Sequence, residues 1–192
     1  MFRILQKRKL NDSMTLMVVD APYIARKAKA GQFIILRVNE QGERIPLTVA
    51  DYDREKGTVT IIYQVVGKTT MLLDRLNEGD SILDFIGPLG KPSELEGYKR
   101  AAVIGGGAGC AIAYPQAKAL HAMGTKVDMI AGFRSKDIVI LEDEMRAASD
   151  NLIIMTDDGS NGNQGFVTDA LKKQIENGAG YDLVVAIGPL VM

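Results

Sequence analysis

Four glycines, Gly105, Gly106, Gly107 and Gly109, stand between an apolar run, Ala101–Ile104, and a helical one that opens at Cys110. Backbone without Cβ atoms lets a ligand come close, and the free N–H groups of a following helix favour a phosphate. The spelling G-x-G-x-x-G is not met, because its third glycine falls at Cys110 counted from Gly105, or at Ile112 counted from Gly107. The acid expected about 20 residues on, for the ribose hydroxyls, is missing too. Gly132, Phe133 and Arg134 stand in its place. The turn is thus either a ligand-facing one or a tight strand-to-helix connection. Arg134 suits a 2′-phosphate or an adenine ring, and equally a solvated surface. Asp157 and Asp158, before Gly159, suit ribose hydroxyls or an Asx turn. Gly188–Pro189 adds a third glycine-bearing turn at the same predicted sheet edge.

Two further stretches carry chemistry. "VVGKTT", Val65–Thr70, contains the G-K-T of a P-loop, but Ile62 stands where the upstream glycine belongs, inside a β-patterned run. What is left is a glycine turn opening a short helix at Thr69 or Thr70, with donors for a diphosphate or simply a cap. In "ERIPLTVAD", Glu43–Asp51, β alternation puts Arg44, Pro46 and Thr48 on one face. Arg44 can chelate a diphosphate, Pro46 leaves a gap in the ladder, and Thr48 can hydrogen-bond a ring nitrogen. An edge-strand proline among surface residues would look the same.

The elements that must position these residues fall into two halves. From residue 1 to about 90 the apolar pattern has period two, in "MTLMVVD", "QFIILRV" and "GTVTIIYQVV", with turns at Ala30–Gly31 and Glu55–Gly57. Only "TTMLLDRLNEGD" has helical spacing there. From Arg100 onward four buried strands, "AAVIG", "KVDMIAG", "NLIIMT" and "DLVVAIG", alternate with three helices. The seam is "FIGPLGKPSELEGYKR", residues 85–100. The fold class expected is therefore two-domain, an antiparallel β-barrel followed by an α/β parallel-sheet domain, with two ligand halves meeting at a cleft.

The 192 residues, 46% hydrophobic with a net charge of -1, can bury two cores and carry no footprint for nucleic acid or an anionic membrane. No apolar run approaches the roughly 20 residues of a membrane span, and "MFRILQKRKLNDS" is not a signal peptide, so a cytoplasmic location is expected. With a single cysteine and a single histidine there is no disulfide framework, thiol pair or expected metal site. Chemistry then falls to a bound cofactor, or is absent. Cys110 reads as a small apolar residue on a buried helix. His121 reads as a surface or C-terminal residue of the same helix.

In order and spacing, "AGQFIILRV", "RIPLTVAD", "VVGKTT", "GPLGKP", "VIGGGAGCA", "TDDGSNGNQGFVTD" and "AIGP" resemble the ferredoxin-NADP reductase superfamily over nearly the whole chain. Within it the chain is most similar to the small FAD-binding alpha subunits of NADH-dependent ferredoxin:NADP oxidoreductase, also known as sulfide dehydrogenase, and to dihydroorotate dehydrogenase electron-transfer subunits. The resemblance implies a flavin-binding barrel over 1–96 and an NAD(P)-binding domain over 97–192. It implies FAD held by Arg44, Pro46, Leu47 and Thr48, with Thr48 near the reactive ring edge, and by Gly67, Lys68, Thr69 and Thr70 at the diphosphate. Gly106, Gly107, Gly109, Asp157, Asp158, Gly188 and Pro189 would line the nicotinamide nucleotide site. Where many members carry an aromatic residue, Pro46 or Leu47 stands, and Ile187 replaces a cysteine before the Gly–Pro pair. Such subunits end in a four-cysteine segment binding a [2Fe-2S] cluster; those cysteines are absent here, so the chain is expected to be C-terminally truncated.

The expected function is that of an FAD-dependent oxidoreductase subunit moving hydride and electrons between NAD(P)H and flavin, then to a larger flavin or iron-sulfur subunit or to ferredoxin. Alternatives are the dihydroorotate dehydrogenase role or a non-catalytic docking module.

Overall fold

A computed structural model of the chain describes residues 1–190 and 192. They form two compact units, Met1–Ser93 and Glu94–Met192. The first holds β1 (Phe2–Lys9), β2 (Met14–Asp20), α1 (Pro22–Lys27), β3 (Phe33–Arg37), β4 (Ile45–Asp53), β5 (Thr58–Gln64), α2 (Lys68–Asp74), β6 (Ser81–Ile82) and β7 (Asp84–Leu89).

The strands form one antiparallel sheet in the order β6-β1-β2-β5-β4-β3-β7. Its two edge strands, β6 and β7, are separated along the chain by Leu83 alone. A sheet whose edges are tied so closely must curl, and it becomes a nearly closed barrel, as the period-two pattern predicts. On β3 the alternation is plain: Ile34 and Leu36 are fully buried while Phe33, Ile35 and Arg37 are half-buried. Ile4, Met17, Ile61, Leu73, Ile82 and Phe85 join them inside.

Two features depart from the sequence reading. α1 was not expected, since only the later helix shows a clear helical period. It starts on Pro22, whose fixed φ suits a first turn, and sends Ile24, Ala25 and Ala28 into the core. The seam at residues 85–100 also begins as a strand, because β7 pairs with β3 despite its glycine and proline.

The second unit holds β8 (Arg100–Gly106), α3 (Cys110–Ala122), β9 (Lys126–Phe133), α4 (Glu142–Ala147), β10 (Asn151–Thr156), α5 (Val167–Glu176) and β11 (Leu183–Ile187). The sheet is parallel, in the order β10-β9-β8-β11. The chain crosses it one way from β8 to β10 and the other way from β10 to β11. Right-handed crossovers then put α3 and α5 on opposite faces. That explains why β8 and β9 are nearly continuous apolar runs, with Ala101, Val103, Met129 and Ile130 fully buried.

The amino end of this sheet is fastened by one buried carboxylate. Asp128 accepts from Arg100 Nε and Nη2 at 3.2 and 2.7 Å and from the Tyr181 hydroxyl at 2.8 Å. Burial first, and the bond to Asp128 second, push the Tyr181 hydroxyl from its ordinary 10 up to about 12. A proton held more tightly in the folded than in the unfolded state contributes stability that is present below pH 10 and lost as pH rises toward 12. Urea unfolding should therefore show Tyr181→Phe to be less stable by about 1 kcal/mol at neutral pH and to lack this part of the alkaline decline. Asp128→Ala, which leaves Arg100 unpaired, should cost about 2 kcal/mol or more.

Candidate functional site

β4 is shared unequally between its neighbours. Ile45–Thr48 pair with β3, whereas the ladder with β5 runs only from Val49–Ile61 to Asp53–Thr58, with a register shift at Ala50. On the other strand Ile62, Tyr63 and Gln64 pair with β2 alone. A bulge bends the strand there, so the first half of β4 splays from the last turn of β5. The facing edges of 45–48 and 62–64 carry backbone donors and acceptors without ladder partners, which need water or a ligand. Pro46 and Thr48 lie on this stretch, and Arg44 lies just before it. Pro46 is exposed and Leu47 and Thr48 are half-buried.

Extending the β4–β5 register carries the residues after β5 to the end where β4 begins, which is where Val65, Val66 and Gly67 lead into α2. The helix starts at Lys68, one or two residues before the expected Thr69 or Thr70. Thr70 Oγ1 accepts from the N–H groups of Val66 and Gly67 at 3.1 and 3.0 Å and donates to the Gly67 carbonyl. Gly67 has φ −143°, which any residue adopts, and a Cβ built on it would meet nothing within 4 Å. The fold gives no reason for a glycine here.

The other end of α2 is tied down. Lys7 Nζ donates to the carbonyls of Asp74 and Leu76, and the Asp74 carboxylate accepts from Thr15 Oγ1 and Lys9 Nζ, both at 2.7 Å. Burial raises the Asp74 pKa, but the Lys9 and Thr15 bonds outweigh it and hold the carboxyl below its ordinary range.

In the second unit the sequence-predicted residues gather along the carboxyl edge of the sheet. The glycines there separate into two kinds. A Cβ on Gly105 would press Cys110, one on Gly109 would strike the Ile187 carbonyl, and one on Gly132 would lie 2.6 Å from Val167 Cγ1. These glycines let α3, β11 and α5 pack closely, which answers part of the tight-turn reading. A Cβ on Gly106 would lie 3.2 Å from Pro189 Cδ and 3.6 Å from Gly188 Cα, so the turns after β8 and β11 stand side by side. Gly107 differs from all of them, with φ 53° and open space where a Cβ would be. β8 is also where the strand order reverses between β9 and β11, the usual place for a ligand in an open parallel sheet.

The turns after β9 and β10 are joined by backbone bonds from Asp157 to Phe133 and from Asp158 to Arg134. Asp158 takes the Asx-turn role, its Oδ1 accepting from Ser160 N–H at 2.9 Å and Oγ at 2.6 Å. Those Ser160 bonds hold its carboxyl below the ordinary range. Asp157 and Arg134 stay exposed. Sequence reasoning missed the frame beneath them: buried Thr156 donates to Asn161 Oδ1, and the Asn161 and Asn163 amides both donate to the Ile154 carbonyl. It also missed Arg37 and Asp84, which pair beside Arg44. Strand register reveals the second set, whereas the first is made within the single stretch 154–163.

Cys110 is fully buried, and burial pushes its thiol up to about 12, so it stays protonated and packed. His121 Nε2 sits 3.9 Å from Asp150 at the end of α3, away from the glycine turns.

No family model matches the sequence. Among curated proteins, the chain is 35% identical over 183 residues to the dihydroorotate dehydrogenase B (NAD(+)) electron transfer subunit of Fusobacterium nucleatum, covering 92% of this chain and 70% of that protein. The chain belongs to the family of these electron transfer subunits. A homologue of the same subunit in Thermotoga maritima is 44% identical over 189 residues, covering 98% of this chain and 66% of that one. A solved structure of an NADH-dependent reduced ferredoxin-NADP oxidoreductase superposes with a TM-score of 0.91 at 43% identity, over 99% of this chain and 68% of that one. The family is of the ferredoxin-NADP reductase type, and its two-domain fold is the one found here. The chain spans about two thirds of the length of each of these proteins.

The two kinds of glycine make a direct test. Gly109→Ala should lower stability by about 2 kcal/mol, since a backbone carbonyl cannot move aside cheaply. Gly67→Ala should leave the melting temperature unchanged, as measured by circular dichroism.

Proposed function

We propose that the chain binds FAD in its first unit and a nicotinamide nucleotide in its second, and passes reducing equivalents from NADH or NADPH to a partner as an electron-transfer subunit. Gly67 carries this reading. It is a glycine that the fold does not need, beside a splayed strand edge, in a family of electron-transfer subunits. On this reading residues 1–96 are the flavin domain and 97–192 the NAD(P) domain.

The residues of the first unit fit the cofactor. Arg44 supplies a charge for the diphosphate, Lys68 a second, and the N–H groups around Gly67, Thr69 and Thr70 supply further donors. The open edges of 45–48 and 62–64 offer backbone groups to the polar rim of a ring, Pro46 would give it an apolar wall, and the Thr48 hydroxyl would serve its reactive edge, whereas the Leu47 side chain packs against the barrel core instead of the expected flavin site. FAD, when bound, supplies a ring that accepts a hydride and releases electrons. Around it the protein's task is positioning, because hydride transfer asks for near-attack distance rather than acid–base groups. The buried, protonated Cys110 and the distant His121 accord with that division.

In the second unit Gly107 leaves backbone open at the reversal of strand order, while Gly106, Gly109, Gly188 and Pro189 set the walls by packing on one another. Asp157 and Arg134 remain available to ribose and adenine. Asp158 contributes mainly by shaping the turn. The partner is a larger flavin or iron-sulfur subunit, with ferredoxin as a further acceptor. A [2Fe-2S] cluster would require cysteines other than Cys110.

Purified protein loaded with FAD should show a flavin absorbance band that NADH or NADPH bleaches under anaerobic conditions. Protein that takes up no FAD contradicts the proposal, and a flavin that neither nucleotide bleaches reduces the chain to a docking module. Thr48→Val should keep the FAD content and slow the bleaching by about tenfold, the worth of one hydrogen bond made as the ring is reduced. Stopped-flow absorbance reads the rate.

A further inference from the structure

Arg37 and Asp84 stand directly opposite each other where β3 pairs with β7. Arg37 Nε donates to Asp84 Oδ2 at 2.8 Å, and Arg44 Nη2, from the segment before β4, donates to the same oxygen at 3.0 Å. Two guanidinium groups thus share one carboxylate oxygen, and the cluster keeps one positive charge over. Asp84 and Arg37 are each about a quarter exposed, at 26%, whereas Arg44 is 55% exposed. The shared oxygen engages one nitrogen of Arg44, and the rest of its donor fork has no partner among the described residues.

We propose that Asp84 is the positioning residue for Arg44, fixing its guanidinium so that the free edge of the fork meets the diphosphate of FAD, with Arg37 neutralising Asp84 so that the cluster still attracts an anion. This rests on the reading of Arg44 as a diphosphate ligand. An exposed arginine samples many rotamers, and ordering it when the ligand arrives weakens binding. A carboxylate that holds one edge beforehand removes that cost. A lone carboxylate beside a phosphate would also repel it, and Arg37 cancels that repulsion. The β3–β7 ladder runs on beyond this pair, from Leu36–Phe85 to Phe33–Leu89.

The experiment is a double-mutant cycle on the whole chain, with Kd measured for FAD and for riboflavin, which has the same ring and no phosphate. Arg44→Ala should raise the Kd for FAD about tenfold or more, the effect of losing a charge-assisted hydrogen bond. Asp84→Ala should raise it about tenfold as well, should leave riboflavin binding unchanged, and should have no further effect in the Arg44→Ala background, since the two act as one unit. Asp84→Asn, equal in size, replaces Asp84→Ala if the latter does not fold. An Asp84 variant that binds FAD as well as or better than the parent overturns the proposal. So does equal weakening of FAD and riboflavin, which marks damage to the barrel, and so does an Asp84 effect that persists without Arg44. An unchanged Kd in Arg44→Ala alone removes the diphosphate reading of Arg44 instead, and is told apart by that variant.

Discussion

A strand in an antiparallel sheet has two edges, and β4 cannot serve both neighbours along its whole length in a barrel this small. The bulge at Ala50 resolves the conflict. Before it the strand follows β3, after it β5, and between the two strands an opening is left with backbone groups on both sides. The curl of the sheet requires such a bend, so the opening is a consequence of closing the barrel rather than an addition to it. Pro46 fits a place where no ladder is wanted. α2 then continues from β5 at the same end and is anchored from behind by Lys7 and by the Asp74 network, so that its first residues are held without help from a ligand.

The second unit meets a related constraint with different means. Parallel strands buried on both faces leave their polar groups only at the edges of the sheet, and the carboxyl edge carries the turn that follows each of the four strands. Most of the glycines there serve packing, which brings helix and strand backbones closer than a Cβ allows. Gly107 instead stays open, at the point where the strand order reverses. The asparagine frame below Thr156 fixes the turn that carries Asp157 and Asp158. The amino edge, fastened by Asp128 with Arg100 and Tyr181, lies across the sheet from these turns and contributes stability.

Much of the two-domain fold was legible because its signals are local. Period-two runs gave the barrel, and buried strands alternating with helices gave the parallel sheet. α1 escaped because six residues beginning at Pro22 are too few to show a period, and β7 escaped because glycine and proline masked it. At the candidate site, residue types and order were legible in Arg44, Pro46, Thr48 and Gly67. Long-range geometry was not, since nothing local says that Arg37 and Asp84 are neighbours or that Asp158 spends its carboxylate on Ser160. The same limit applies to the glycine turn after β8, which reads as one motif in sequence and separates in three dimensions into packing glycines and one open position.

If FAD binds as proposed, it covers the splayed edge of β4 and β5 and the open turn at Gly67. Amide hydrogen exchange, followed by mass spectrometry with and without FAD, reads those backbone groups directly. Slowed exchange confined in the first unit to residues 44–48 and 62–70 is the predicted result. Unchanged exchange in both stretches, in protein shown to have bound FAD, would contradict it.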